Sequence, residues 1–219
     1  TGGGVYAAGS SVLNNCIVTN NSGSSNGGGA YVTGSSLTNC VITNNSTNGN
    51  GGGVFVNGSR CYNVTSAMNR ATTTTGDNFY MSGSQILYNC ASWGGNIWLN
   101  NANYAYKIYN CASNFALTGV TNWDTQADVQ NFLTLTDFPF AAPALPPWDA
   151  KGAFNYNLSK GEESLAYIKD TVIPSMLDAH LPAGSPLIGA GYYKEGVTPE
   201  TDADGATRPI PPSIGAYEP

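Results

Sequence analysis

Apolar and polar positions alternate along residues 1–118 in short runs cut by glycine and asparagine, and the runs repeat. Gly2-Gly3-Gly4-Val5-Tyr6 returns as Gly27-Gly28-Gly29-Ala30-Tyr31 and as Gly51-Gly52-Gly53-Val54-Phe55, at spacings of 25 and 24 residues. A second unit follows each copy. It reads Leu13-Asn14-Asn15-Cys16-Ile17-Val18, then Leu37-Thr38-Asn39-Cys40-Val41-Ile42, then in altered form Cys61-Tyr62-Asn63-Val64-Thr65. Leu87-Tyr88-Asn89-Cys90 and Ile108-Tyr109-Asn110-Cys111 continue it, so about five turns of one pattern are legible. A fixed period of this length marks a solenoid, in which each coil buries its apolar face on its neighbours. Dense glycine with β-branched residues, Thr and Tyr favours strands over helices, and the internal Leu spacing of a leucine-rich repeat is absent. The pattern predicts an all-β parallel β-helix with rungs about 4.8 Å apart.

Stacking turns the repeat into a prediction of faces, because strand side chains alternate. Val5/Ala7, Ala30/Val32, Val54/Val56, Phe79/Met81 and Ile97/Leu99 should point inward. Tyr6, Tyr31, Phe55, Tyr80 and Trp98 then form an outward aromatic ladder, which Trp93, Tyr104 and Tyr106 extend. Asn15, Asn39, Asn63, Asn89 and Asn110 fall at a bend, where stacked amides satisfy turn groups without charge. Cys16, Cys40, Cys90 and Cys111 share an inward column, and the odd fifth cysteine argues against a disulfide framework. Reduced thiols acting as small apolar residues are expected.

Beyond Thr121 the pattern stops. Asp124–Leu133 and Gly161–Lys169 read as short helices with capped or acidic first turns, separated by the loop Pro143–Pro147. The organisation expected is β-helix coils over 1–118, a Pro-containing loop and helix insertion over 119–177, and a terminal coil and cap over 178–219. The chain opens inside a repeat, which reads as an N-terminal truncation with further coils upstream.

Composition sharpens this division. Only 10% of residues are charged, and the net charge is −6. A charge copied at every rung repels itself, whereas Asn, Thr, Ser and Tyr stack without penalty. Residues 1–118 hold three basic residues and one acid, Asp77; residues 119–219 hold five bases and thirteen acids. The acidic balance argues against nucleic acid or an anionic membrane surface as partner. The longest apolar run, Phe138–Trp148, is broken by four prolines and falls short of the roughly 20 residues that span a bilayer.

The GGG-x-Tyr coils with Asn-Cys strands resemble pectate-lyase-like β-helix proteins of bacterial surfaces, over about half the chain. His180-Leu181-Pro182-Ala183-Gly184-Ser185-Pro186-Leu187-Ile188-Gly189-Ala190-Gly191 is similar to the segment that closes such proteins. Asp202-Ala203-Asp204-Gly205-Ala206-Thr207-Arg208 and Ile214-Gly215-Ala216-Tyr217-Glu218 resemble the motif that follows it. The usual Asp after Ile is Gly189 here. The resemblance implies a right-handed, single-stranded β-helix, with a cap of short helices and loops, that is secreted or held at a cell surface.

Two functions follow for such a chain. One is a non-catalytic adhesin or glycan-binding stalk, with a polysaccharide or host glycan as partner and the aromatic ladder as contact. The other is a polysaccharide lyase or glycoside hydrolase with its site on the cap or on missing coils, because hydrolysis needs two carboxylates on one groove and 1–118 offers only Asp77. No catalytic residue is assigned, and the sole histidine, His180, is given a structural role. No cofactor is expected; Asp202-x-Asp204-Gly205 is the one loose candidate for calcium, without the other ligands of such a loop. Asp202 or Asp204 is expected instead to pair with Arg208. The glycosylation-type triplets at Asn20, Asn44, Asn45, Asn63 and Asn157 suit so Asn/Ser-rich a chain by chance.

Overall fold

A computed structural model describes residues 2–72, 75–101, 103–119, 127–141 and 178–219. The repeat folds as a right-handed parallel β-solenoid, and no helix occurs among the described residues. Sheet A stacks β1 (Val5–Ala8), β5 (Ala30–Thr33), β9 (Val54–Asn57), β13 (Phe79–Ser82), β16 (Ile97–Leu99) and β19 (Thr118–Gly119). Sheet B stacks β2 (Val12–Asn14), β6 (Ser36–Thr38), β10 (Arg60–Tyr62), β14 (Gln85–Tyr88), β17 (Tyr106–Tyr109) and β20 (Ala127–Gln130). Sheet C stacks β3 (Ile17–Thr19), β7 (Val41–Thr43), β11 (Thr65–Ala67), β15 (Ala91–Trp93), β18 (Ala112–Ser113) and β21 (Leu133–Thr134). A short sheet D joins β4 (Ser22–Gly23), β8 (Ser46–Thr47) and β12 (Arg70–Ala71).

The corners explain the repeat's punctuation. Between sheets B and C the chain turns at one left-handed residue, Asn15, Asn39, Asn63, Asn89, Asn110 or Asn131, with φ between 48° and 54°. Asparagine tolerates that region better than any residue but glycine. The middle glycine of a triplet is fixed by crowding: a Cβ on Gly28 would lie 2.3 Å from the Ser46 carbonyl oxygen and 2.4 Å from that of Gly52.

Inside, the predicted columns close into one core: Val32, Val56, Met81 and Leu99 are fully buried, as are Ala30, Val54 and Phe79. Cys61 lies in register with Leu37 and Leu87, while Val64 follows the corner residue Asn63 as Cys40 follows Asn39. The swap exchanges a small and a larger apolar group between two adjacent inward columns, so the rung keeps nearly its volume.

Two expectations are corrected. The helix predicted over Asp124–Leu133 is, over its described part, a sixth rung made of β20 and β21. Lys107-Ile108-Tyr109-Asn110 is matched in register by Asp128-Val129-Gln130-Asn131, and Asn131 takes the same left-handed turn with φ 52°. The period-2 alternation was hidden by polar residues that mimic a capped helix. The helix predicted over Gly161–Lys169 and the loop Pro143–Pro147 lie outside the described residues.

The second correction concerns residues 178–219, which form neither a coil nor a lid on the last rung. They run as a strap of turns, with a single bridge at Thr201–Thr207, along the outer flank of sheet C. The strap starts beside the last rung, where the Ala141 amide donates to the His180 carbonyl at 2.8 Å. It climbs to the second rung, where Asn39 donates to the Thr201 carbonyl, and folds back so that Gly215 donates to the Asn89 carbonyl. Outward residues of sheet C are small where it passes: Val41, Ala67, Ala91 and Ala112 form a buried cluster with Leu187, Ile214 and Ala216. Small side chains let a backbone approach closely. Replacing Ala91 with Leu should therefore overpack the strap interface and cost about 1–3 kcal/mol, read by chemical denaturation, with faster proteolytic cleavage inside 187–217.

Candidate functional site

The sheet A ladder exists as a stack of rings. Tyr6 and Tyr31 stack with centroids 5.4 Å apart, Tyr31 and Phe55 at 4.8 Å, and Phe55 and Tyr80 at 5.0 Å, with interplanar angles of 21°, 8° and 17°. Each inner ring therefore has a neighbour on both faces, and Phe55 and Tyr80 are buried. Tyr6 is 57% exposed at the first rung. Trp98 continues the register beneath Tyr80 and is half-buried. Trp93 lies on another face: it belongs to sheet C and packs edge-on against Phe138 at 5.6 Å. A sugar stacks on a ring face, and in this column the faces lie against other rings.

Two asparagine columns run along the coils, and in the corner column Asn89 donates to Asn63 Oδ1 and Asn131 to Asn110 Oδ1, each at 3.4 Å. The corner asparagines hold the strap: Asn63 donates to the Ser213 carbonyl at 3.3 Å, Asn110 to that of Ala190 at 2.9 Å, and Asn89 to that of Tyr192 at 2.9 Å. Asn15 is the exposed first-rung member of this column. The continuous amide ladder is a second column, Asn21, Asn45, Asn69 and Asn78, absent from the sequence reading. The side-chain amides pass from Asn21 to Asn45, Asn45 to Asn69 and Asn69 to Asn78, each at 3.0 Å. Its signal was present as the repeated Asn20-Asn21-Ser22 and Asn44-Asn45-Ser46. Asn44, Asn45 and Asn63 are buried in these corners, so their glycosylation-type triplets belong to the fold. Asn157 lies outside the described residues.

All five cysteines are free thiols; Cys16 is half-buried and the rest are buried. Burial pushes the Cys40 thiol up to about 11 and raises Cys61 and Cys90 as well, so the reactive thiolate is strongly disfavoured.

The acidic end of the chain resolves into strap fastenings. Arg208 pairs with Glu218 at 2.5 Å, in place of the expected Asp202 or Asp204, and both side chains are almost wholly buried. Arg208 also donates to Asn39 Oδ1 and to the carbonyls of Gly215 and Ala216, while Glu218 accepts from the Ser213 amide and hydroxyl. Asp202 Oδ1 accepts from the amides of Asp204 and Ala206, and its Oδ2 accepts from that of Glu218. Asp204 Oδ2 meets His180 Nε2 at 2.7 Å, and Asp178 Oδ1 meets His180 Nδ1 at 2.6 Å. Among the described residues no group of three or more His, Cys, Asp or Glu is placed to hold a metal ion.

The outer face of sheet B was not singled out in the sequence. Tyr88 and Tyr109 stack at 4.9 Å, Tyr62 tilts against Tyr88 at 5.7 Å, and the strap's Tyr192 stands at 63° to Tyr109. Beside them runs a register column of Ser36, Arg60, Ile86, Lys107 and Asp128. The Tyr109 hydroxyl donates to Asp128, which pushes the phenol up to about 12 and holds the carboxyl below its ordinary range. The clue was tyrosine before Asn63, Asn89 and Asn110 in successive copies. No protein-family model matches this sequence, and no curated protein sequence matches it.

Two measurements follow. Glu218→Ala leaves Arg208 charged and buried without its partner, so stability should fall by about 3–5 kcal/mol in denaturant melts; Arg208→Met combined with Glu218→Leu should recover much of it. For His180, burial opposes the imidazolium, but the hydrogen bonds it donates to the carboxylates of Asp204 and Asp178 outweigh that and raise its pKa above 6.5. That stabilisation is complete below the unfolded value and is lost as pH rises through the folded one. The melting temperature should fall as pH rises above the ordinary imidazole value of about 6.5, and His180→Gln should flatten the fall.

Proposed function

We propose that this chain is a non-catalytic β-helix module that works outside the cell as a surface adhesin or glycan-binding stalk. Its contact face is the outer side of sheet B. The observation that carries the reading is the corner formed by half-buried Tyr62 and Tyr109 and exposed Tyr192 around the buried Tyr88, which stands beside the exposed cations Arg60 and Lys107. Here the stack is short, and Tyr192, 41% exposed, turns its ring across the column. Aromatic rings with polar tips at a wet surface are suited to sugars, which present both apolar faces and hydroxyls. Sheet A has the longer ladder, but its inner rings cover one another.

The coils supply little for bond cleavage. Asp77 is held in a corner by the Ala71 amide, at 2.9 Å from Oδ1, and Asp128 sits on sheet B bonded to Tyr109 and Gln130. Glycoside cleavage needs two carboxylates flanking one bond, and these two stand on different faces. The likeness of the closing motif to pectate-lyase-like bacterial surface proteins supports secretion and surface display. Fold alone does not choose between lyase and adhesin, because sites are grafted on folds.

Calorimetric titration against a panel of neutral and acidic oligosaccharides tests this. At least one glycan should bind, Tyr109→Ala should weaken it about 10-fold, and Tyr31→Ala in the sheet A stack should leave affinity unchanged. No binding across the panel, or equal loss in both variants, would sink the reading.

A further inference from the structure

We propose that the sheet B face selects an acidic glycan carrying one acid group on every second sugar; this rests on the contact face proposed above. The register places Arg60, Ile86, Lys107 and Asp128 on four successive rungs in one outward column. The signs along that column run positive, neutral, positive, negative. Arg60 and Lys107 are exposed and Ile86 is half-buried between them. The two cations thus stand two rungs apart, about 9.6 Å along the axis. A sugar in an extended chain advances by close to one rung. An acid on alternate sugars meets both cations, while an acid on every sugar sets its middle charge against Ile86.

Three further observations support this. The third coil cation, Arg70, lies on sheet D, where it acts electrostatically on Asp77. Among the described residues Arg60 has no carboxylate within ion-pair distance, so its guanidinium is unspent. It also borders an open groove of about 350 Å³ whose other walls include Ser10, Ser36 and Ser84. Hydroxyls beside a guanidinium suit the oxygens of a carboxylate or sulfate, which arginine grips in bidentate fashion. Asp128 ends the cationic stretch and repels a further acid. The parallel column of Tyr62, Tyr88 and Tyr109 runs beside the charges, one strand position inward from the corner, where the sugar rings lie.

The test is binding of the whole chain to four oligosaccharides of matched length. Hyaluronan carries a carboxylate on alternate sugars, keratan sulfate sulfated only on its N-acetylglucosamines carries sulfate on alternate sugars, polygalacturonate carries a carboxylate on every sugar, and a chito-oligosaccharide is neutral. Hyaluronan or keratan sulfate should bind about 10-fold tighter than the other two, and whichever binds identifies the acid as carboxylate or sulfate. Arg60→Gln and Lys107→Gln should each weaken that binding about 5-fold, with unchanged melting temperature, and added salt should weaken it further. Polygalacturonate or single-stranded DNA binding as tightly, or indifference to both substitutions, overturns the proposal. If the chito-oligosaccharide binds and only Tyr109→Ala disturbs it, the charge pattern fails while the sheet B contact face stands. If nothing binds, both fail.

Discussion

Parallel stacking at one rung spacing is the constraint from which the rest of this molecule follows. Every side chain has a copy of its position about 4.8 Å above and below, so a residue must attract its own kind. Amides do so by donating to the next amide's oxygen, as Asn21, Asn45 and Asn69 show. Aromatic rings do so by stacking, and thiols and aliphatic groups by contact in a dry interior. Charges cannot, which is why the coils carry four charged residues between positions 1 and 118 and why none repeats in a column of its own sign on adjacent rungs.

The strap solves a different problem. A solenoid this slender has a flank of small residues on sheet C that water would otherwise wet. The closing motif brings its own ion pair, Arg208 with Glu218, into that flank and ties it to Asn39 on the second rung. Burying a charge pair is costly unless its donors and acceptors are largely satisfied; here the backbone carbonyls of Gly215 and Ala216 take up further guanidinium protons, and Nε alone of the guanidinium nitrogens has no partner among the described residues. The corner asparagines complete the attachment. They turn the chain with their backbone and hold the strap with their side chains, so one residue type links coil geometry to strap position.

The same economy separates the two aromatic faces. On sheet A the stack runs through four consecutive rungs and the rings shield one another. On sheet B the stack is shorter, tilted at Tyr62, crossed by a strap tyrosine and flanked by the exposed cations Arg60 and Lys107. A long ladder buries its inner rings, and the interrupted one leaves Tyr192 and the two cations exposed.

Period, strand type, inward columns and the bend at each corner asparagine were all legible in the sequence, because they are local and each copy confirms the last. The sixth rung was not, because Asp128 and Gln130 sit where the two preceding copies carry Lys or Ile and Tyr, and the alternation faded into a helical pattern although Asn131 keeps the corner. The amide ladder through Asn21 was visible only as a doublet whose second member had no evident role. The partner of Arg208 was unreadable, since Asp202 and Asp204 lie nearer to it in sequence than Glu218 and only the fold-back of the strap brings Glu218 to it. The repeat thus determined by itself what stacks on what, as neighbours one period apart are forced together. Where the strap lies, and hence which outward face is covered and which is open, was decided by tertiary packing: contacts between non-repeating segments leave no periodic trace in the chain.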